Sequence, residues 1–320
     1  MAEIVIIGAG HNGLIAGCYL AAAGNSVSIY EQSNRAGGLC INEKIFPDNP
    51  DMVVSTWANW AGMIQPQVLR DLDVTPPEFI EEKVISQSYD GGMVSGEDIL
   101  IPGLTDQDIK GMQNLDEDLR TLALPLKELF LHPKPSRSLY LEKIQNLKLH
   151  GTFGAEAFLQ RSSCEIVAEY VSNDMLRSIL AAQTFVHPGL PGTAFEMIYM
   201  RTPEVGPEAT GWGAYKGGMG ELTQRLYKKA INLGVEFHFN HRIGALLTDG
   251  DMANSVMFEN KPIKAEIFIF GTDFPTFQKI RYGTWENDLR RHHVYGNANL
   301  HVLLHDLPDL CKEIGEGRCG

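Results

Sequence analysis

The strongest constraint on this sequence is a glycine loop that directly follows its first apolar strand. Residues 3–7, EIVII, form a continuous β-branched run, which is typical of a central parallel strand buried on both faces. The loop GAGHNG then opens a helix that Gly24 ends. Residues 26–30, SVSIY, predict a second strand with Glu31 at its end. Together these elements predict a β-α-β unit.

Each glycine of this loop has a physical role in binding a dinucleotide. Gly8 permits the tight turn from strand to helix, Gly10 lets the backbone approach a pyrophosphate, and Gly13 lets the helix pack against the strand. The helix N-terminus attracts phosphate through its dipole and its free N–H groups. Glu31 is placed to accept hydrogen bonds from the adenosine ribose, and its charge would repel a 2′-phosphate, which disfavours NADP.

Composition and charge narrow the class of protein. The net charge of −13, with Lys and Arg spread thinly, argues against a nucleic-acid partner. The five cysteines form no CxxC pair and their number is odd, which favours a reducing compartment over a disulfide framework. No targeting segment is readable, and the longest apolar stretch, residues 13–23, is too short to span a bilayer. We therefore expect a cytoplasmic protein, although a mitochondrial or membrane-surface location stays open.

The sequence after Glu31 distinguishes FAD from NAD as the expected cofactor. An NAD dehydrogenase would continue with further β-α units, whereas here Gln32 opens a polar turn that leads to Gly37 and Gly38. Irregular sequence punctuated by proline follows as far as Pro50, and a second G-x-G-x-x-G loop for a separate NAD(P)H domain is absent from the sequence. This arrangement favours FAD.

Three stretches resemble one family. The loop GAGHNGL with E-x-x-x-R-A-G-G, in which Arg35 precedes the Gly-Gly turn, resembles the phytoene desaturase-like oxidoreductases of the flavin amine oxidase superfamily. Residues 55–74 resemble the branch that carries a pyridine nucleotide-disulfide oxidoreductase domain. Residues 213–247 resemble the family's Gly-Gly-Met turn, the following helix and the strand that returns to the nucleotide domain. The resemblance implies FAD and the oxidation of an apolar small molecule by hydride transfer to the flavin.

The resemblance also implies where FAD would be contacted. The Gly-Gly turn would lie against FAD, the backbone near Arg242 and Ile243 would touch the adenine, and the strand at 266–270 would end in a turn near the cofactor. The expected FAD contacts are Gly8, Gly10, His11, Asn12, Gly13, Glu31, Gln32, Arg35, Gly37, Gly38, Arg242, Ile243, Gly271 and Thr272.

The expected fold class is α/β, with a discontinuous Rossmann-like FAD-binding domain and an inserted α+β substrate domain. The FAD-binding domain is predicted at 1–75 and 206–275, and the substrate domain at 76–205 and 276–320. Helical patches are predicted at 106–131 and 155–182, and further strands at 235–239, 253–258 and 266–270. Family members continue to a Gly-rich segment that faces the flavin, so we expect this chain, which stops at LPDLCKEIGEGRCG, to be truncated and its substrate domain incomplete.

Other chemistry-bearing side chains give weaker signals. Neither His238 with His241 nor His301 with His305 has a further ligand in sequence, so no metal site is expected. A G-x-S-x-G nucleophile motif is absent from the sequence. Catalytic residues therefore stay unassigned, which a flavin that itself takes the hydride permits.

Several side chains near the predicted site have two interpretations. His11 and Asn12 either face the flavin or only complete the loop. Trp57 and Trp60 are expected in the core rather than in an aromatic wall that faces substrate. Lys216 stands where family members often have proline, so it has no assigned role.

Two alternatives stay open beside the FAD-dependent oxidoreductase. One is a truncated, catalytically inactive dinucleotide-binding protein or assembly partner, and the other is an amine oxidase on the same scaffold. The expected partner is an apolar small-molecule substrate, with no nucleic acid. Peripheral contact with a membrane stays open, and the sequence does not indicate an oligomeric state.

Overall fold

The computed structural model describes residues 1–80, 85–87, 93–95, 98–184 and 186–283. None of the helices in these ranges combines the length and the apolar character that spanning a membrane requires. His301 and His305, and the predicted substrate-domain segment beyond residue 283, lie outside the described residues. The predicted domain boundaries stay a prediction.

The glycine loop lies at the carboxyl ends of the strands of a parallel sheet. Its strands are β1 (Glu3–Ile7), β2 (Ser26–Tyr30), β8 (Glu236–His238) and β12 (Ile267–Phe270), in the spatial order β12-β1-β2-β8. β1 pairs in parallel with both β12 and β2, and β2 pairs in parallel with β8. The sheet is therefore assembled from both ends of the described chain, and it confirms the expected α/β class with a Rossmann-like sheet.

Two helices cover one face of this sheet. Ile4 and Ile6 of β1 pack with Leu14 of α1 (His11–Ala22) and Leu226 of α8 (Gly220–Asn232) in one buried cluster. α1 approaches closely because Gly17 has no side chain, and a Cβ there would lie 2.9 Å from Cδ1 of Ile29. Helix α1 therefore packs closely against the sheet, and its N-terminus lies at the carboxyl end of β1.

A small antiparallel sheet and a helix cover the other face. The sheet contains β9 (Ala245–Asp249), β10 (Met252–Phe258) and β11 (Lys261–Lys264) in the order β11-β10-β9, and the helix is α9 (Phe274–Tyr282). Val5 and Ile7 of β1 pack there against Val256 and Ile280. Alternate residues of β1 are thus buried on opposite faces, which explains its unbroken apolar sequence.

A helical region with its own core lies, in chain order, between strands β2 and β8 of the parallel sheet. Its helices are α3 (Asp106–Leu129), α4 (Arg137–Ile144), α5 (Ser163–Tyr170), α6 (Asp174–Ala181) and α7 (Thr193–Arg201), with 3₁₀ turns at Ala155–Leu159 and Thr202–Glu204. Phe158, Leu119 and Ile166 are fully buried in its centre.

The helical patch predicted at 155–182 is observed as three separate elements. The chain forms a 3₁₀ turn and then two separate helices, because Ser162 caps α5 and Asn173 caps α6. Each cap side chain accepts a hydrogen bond from a first-turn N–H group, so each starts a new helix. The patch predicted at 106–131 is observed as α3, which Thr105 and Asp108 begin with a reciprocal capping box.

Short elements connect these parts. β3 (Asn42–Glu43) pairs with β4 (Val54–Ser55), and α2 (Pro66–Asp71) follows. An antiparallel sheet contains β5 (Ile85–Gln87), β6 (Met93–Ser95) and β7 (Asp98–Leu100). These connections lead the chain from the glycine loop to the helical region.

Candidate functional site

The glycine loop is built by close backbone contacts that no other residue would allow. Gly8 has φ +104°, in the region that favours glycine. A Cβ on Gly13 would lie 2.0 Å from the carbonyl oxygen of Gly8. The turn after β12 packs against Gly13 as well, since a Cβ on Gly271 would lie 3.2 Å from Cα of Gly13. The loop, the helix and the β12 turn therefore fix one another.

The N-terminus of α1 leaves donors available. Gly10 is its N-cap, no side chain caps the helix, and Leu14 N–H makes the first helical bond to the Gly10 carbonyl at 2.9 Å. The N–H groups of the first turn therefore have no helical acceptor. A Cβ on Gly10 would meet only Cα of Gly38, at 3.8 Å, so the approach to these donors is open. This arrangement suits a phosphate or pyrophosphate.

The Gly37-Gly38 turn folds back onto this loop. Gly37 N–H donates to the carbonyl of Ala9 at 2.8 Å, and both glycines have positive φ. Arg35, which is expected to contact the cofactor, forms an exposed ion pair with Glu43.

Glu31 is buried, with 6% of its surface exposed, and it holds the turn beside the loop. Its Oε2 accepts a hydrogen bond from Ala9 N–H at 2.8 Å. Its Oε1 accepts from Ser33 N–H at 2.8 Å and from Ser33 Oγ at 2.5 Å. A carboxylate offers about four acceptor positions. Oε2 can therefore still accept one hydroxyl from a ligand.

A cavity of about 380 Å³ opens beside Glu31. It lies between the ends of β1 and β2, residues 241–244 and the start of α9. Thr272 lines it, and its Oγ1 is buried without a hydrogen-bond partner in the part of the chain that the structure describes. An acceptor on Glu31, a hydroxyl on Thr272 and the nearby N-terminus of α1 fit the adenosine diphosphate half of a dinucleotide. We call this the adenosine cavity.

Aromatic stacking shapes one wall of the adenosine cavity. Tyr30 and His241 line it. Tyr30 stacks on His238 with ring centroids 4.4 Å apart, and His241 stacks on Phe258 at 4.1 Å. The two histidines weighed as a metal pair are therefore ring-stacking residues. Among the described residues, no three His, Cys, Asp or Glu side chains come together in a group that could hold a metal ion.

A second cavity, of about 500 Å³, lies at the other side of the α1 N-terminus, and we call it the apolar cavity. His11 and Asn12 border it, together with Cys40, the segment around residues 58–68 and Tyr215. His11 Nδ1 lies 3.7 Å from Cys40 Sγ. Burial lowers the pKa of His11 and raises the pKa of Cys40, so both side chains are uncharged at neutral pH.

The structure separates the fourteen expected contacts into four groups. Six line the adenosine cavity: Gly8, Glu31, Gln32, Arg242, Ile243 and Thr272. Five form the backbone packing of the loop, namely Gly10, Gly13, Gly37, Gly38 and Gly271. His11 and Asn12 border the apolar cavity, and Arg35 is engaged with Glu43.

The expectation that Trp57 and Trp60 lie in the core is wrong. Their exposed fractions are 60% and 55%. Both lie in the irregular segment between β4 and α2, which supplies no regular face to bury them. Trp60 instead borders the apolar cavity.

Sequence reasoning missed Tyr30, Lys279 and Tyr215 as cavity residues. Tyr30 stands directly before Glu31 at the carboxyl end of β2, where ligands of parallel sheets bind, so its position gave a usable signal. Lys279 and Tyr215 reach their cavities through long-range packing, and no local pattern announces them.

Comparison with known proteins places these features in context. The model of the NAD(P)-binding Rossmann-like domain matches residues 6–73. The pyridine nucleotide-disulfide oxidoreductase domain-containing protein 2 of Rattus norvegicus is 22% identical over 272 residues, which cover 72% of this chain and 46% of that protein. The 4,4′-diapophytoene desaturase of Staphylococcus aureus is 22% identical over 297 residues, with coverages of 86% and 56%.

Solved structures show the same fold. Putrescine oxidase bound to putrescine superposes with a TM-score of 0.59 at 18% identity, covering 91% of this chain and 62% of that one. A fatty acid isomerase from P. acnes gives a TM-score of 0.53 at 15% identity, with coverages of 91% and 63%. The chain spans about half the length of the curated relatives it matches. These matches confirm the resemblance to the phytoene desaturase-like proteins: the chain carries an NAD(P)-binding Rossmann-like domain within the fold that the amine oxidases share.

Proposed function

We propose that this chain is an FAD-dependent oxidoreductase that oxidises an apolar small molecule by hydride transfer to the flavin. The observation that carries the proposal is the position of the α1 N-terminus. This N-terminus lies between the adenosine cavity, where the Glu31 carboxylate can accept a hydrogen bond from a ribose hydroxyl, and the apolar cavity. A dinucleotide whose pyrophosphate lies at α1 would therefore have one half in each environment.

This chain's own residues divide the work of holding FAD. Glu31 Oε2 would accept a ribose hydroxyl, Thr272 Oγ1 would offer a hydrogen bond, and the first-turn N–H groups of α1 would bind the pyrophosphate. The Gly37-Gly38 turn closes over the loop and keeps its backbone rigid. Bound FAD would supply the hydride acceptor, so the protein has to orient the substrate and exclude water.

The flavin half would share the apolar cavity with the reacting part of the substrate, and the cavity lining favours a substrate that is mostly hydrocarbon. Ile15, Val68 and Leu222 are among the side chains that line it. The staphylococcal relative is named as a diapophytoene desaturase, which agrees with oxidation of an apolar carbon chain. Amine oxidation is the second candidate, because the superposable structures include putrescine oxidase and cyclohexylamine oxidase.

We propose the cytoplasm as the compartment and the apolar substrate as the partner. Cys18, Cys40 and Cys164 carry free thiols, which a reducing environment maintains. Peripheral contact with a membrane would deliver such a substrate.

The visible absorbance spectrum of the purified chain tests the proposal. We expect a flavin spectrum, or its appearance after FAD is added, and the chromophore released by denaturation should be FAD. Glu31→Arg should weaken FAD binding, because it removes the acceptor and fills the adenosine cavity. Glu78→Arg makes the same charge change on an exposed side chain and serves as the control.

The outcomes separate the candidates. A colourless chain that takes up no FAD contradicts the proposal for this chain. If FAD binds equally well to Glu31→Arg, the ribose assignment is wrong. Flavin reduction by an amine and not by an apolar alkene would favour amine oxidation.

A further inference from the structure

A third cavity, of about 670 Å³, opens in the helical region, and we call it the distal cavity. It lies where the end of α3, the start of α4 and the N-cap of α7 meet. It shares no lining residue with the adenosine cavity or the apolar cavity. Gly192, the N-cap of α7, lines the distal cavity, whereas Thr202, directly after α7, contacts Met63 of the apolar cavity. The distal cavity is therefore separate from the proposed cofactor and substrate site.

Most of the wall of the distal cavity is apolar. Its apolar side chains are those of Leu126, Leu129, Phe130, Pro135, Leu159 and Phe195. The ring of Tyr140 meets the ring of Phe195 edge to face, with centroids 6.0 Å apart, and completes the wall. Phe130, Leu159 and Phe195 are only partly buried, so apolar surface inside the cavity is accessible to a ligand. The volume lies within the range of small-molecule sites.

One polar side chain of the wall lacks a partner. Ser136 Oγ accepts a hydrogen bond from Leu139 N–H at 3.2 Å, and the Tyr140 hydroxyl donates to the Leu122 carbonyl at 2.9 Å. Arg137, in contrast, is exposed and has no hydrogen bond, ion pair or ring contact within the described ranges. Most other arginines that the structure describes pair with a carboxylate: Arg35, Arg70, Arg120, Arg161, Arg177 and Arg201.

The rim of the distal cavity is positive in a chain whose net charge is −13. Neither Asp nor Glu is among the described residues that line the cavity. Arg137 is the first residue of α4, so the positive end of the helix dipole acts at the same rim. Lys134 is a second exposed cation, three residues earlier. An anionic ligand group would therefore gain a guanidinium partner here, whereas an ammonium group would be repelled.

We propose that the distal cavity binds an amphipathic anion, whose hydrocarbon part fills the apolar wall and whose carboxylate, phosphate or sulfate group pairs with Arg137. A hydrocarbon alone would leave the guanidinium unpaired, and a small anion alone would leave the apolar wall in water. A molecule with a single alkyl chain and one anionic group satisfies both parts of the site. The inference goes beyond the proposed function, because this ligand would bind apart from FAD and from the oxidised substrate.

Calorimetry on the full chain with three ten-carbon probes tests the inference. Decanoate, 1-decanol and decylammonium differ only in the head group. Decanoate should bind at least about fivefold more tightly than 1-decanol, the value of one exposed ion pair, and decylammonium should bind most weakly. Each methylene group removed between decanoate and hexanoate should weaken binding by up to about fourfold. Equal binding of decanoate and 1-decanol, or no dependence on chain length, overturns the inference.

Variants locate the binding site. Arg137→Gln should abolish the preference for decanoate over 1-decanol, and Arg137→Lys should retain part of it because the positive charge stays. Lys134→Gln is the matched control, since it makes the same charge change in the same loop on a side chain that does not line the cavity. It should weaken decanoate binding less than Arg137→Gln does. Equal losses would mean a diffuse attraction by the loop and would overturn the inference.

Two further measurements separate this site from other sources of binding. Cosedimentation with phosphatidylcholine vesicles that contain phosphatidylglycerol tests a membrane surface, and binding to vesicles without binding of decanoate overturns the inference. Decanoate affinity should be the same with and without FAD, because the sites are separate. Competition between the two would place decanoate in the cofactor site and would also overturn it. FAD uptake is measured by absorbance, so failure of the proposed function is distinguishable from failure of this inference.

Discussion

The most informative single change is Glu31→Gln, because the geometry makes its cost calculable. The amide has one acceptor oxygen, whereas the carboxylate uses both oxygens for backbone N–H groups, those of Ala9 and Ser33. Either orientation of the amide places its NH₂ group against one of these donors. One N–H group, either the buried one of Ala9 or the part-buried one of Ser33, therefore loses its partner, which costs about 1–3 kcal/mol. For a chain of this size, such a loss lowers the melting temperature by about 2–5 °C.

Thermal unfolding of the cofactor-free chain checks this value. Glu43→Gln is the matched control, because the same change at an exposed ion pair should cost less than about 1 kcal/mol. If Glu31→Gln has the same melting temperature as Glu43→Gln, the Glu31 carboxylate does not stabilise the loop as described. FAD affinity should also fall, because the charge-assisted acceptor for the ribose becomes a weaker, neutral one.

Two other predictions address the loop packing and the helical region. Gly13→Ala places a Cβ against the Gly8 carbonyl oxygen, so it should destabilise the chain by about 2 kcal/mol or more and abolish FAD uptake. Gly154→Ala is the control, because a Cβ at that position meets no neighbouring atom, and it should change neither property. Thermal melting and the absorbance of bound FAD measure the two effects. Hydrogen bonds from Thr105, and then those from Ser172, lower the pKa of Asp108 below its ordinary 3.8. Its contribution to stability is therefore complete above that value and is lost as the pH falls through the folded-state pKa. In an acid titration, the free energy of unfolding of Asp108→Asn should fall less steeply with pH than that of the unchanged chain. Identical pH dependence of the two would contradict this.

The sequence predicted the first β-α-β unit well because its signals are local. The glycine spacing, the apolar run of β1 and Gly24 after α1 each act within a few residues of themselves. The helical region was harder to predict: residues 155–182 were predicted only as a helical patch, and the cap side chains of Ser162 and Asn173 divide that patch into separate helices. Cap strength depends on backbone geometry, which periodicity does not encode.

The site shows a similar division between local and distant information. Glu31 could be placed from its position after β2, and the structure puts its carboxylate beside the loop. The pairing of Arg35 with Glu43 could not be predicted, because it depends on how β3 returns toward the turn. Trp60 and Tyr215 belong to segments distant in sequence that meet only when Ala61 pairs with Gly213. Such pairing has no signature within either segment.

The contact between the two chain segments also fixes one wall of the apolar cavity. Ala61 and Gly213 exchange backbone hydrogen bonds at 2.7 and 3.0 Å, which fixes the segment containing Tyr215 against the segment containing Trp60. The stacking on Phe79 then sets the tyrosine ring.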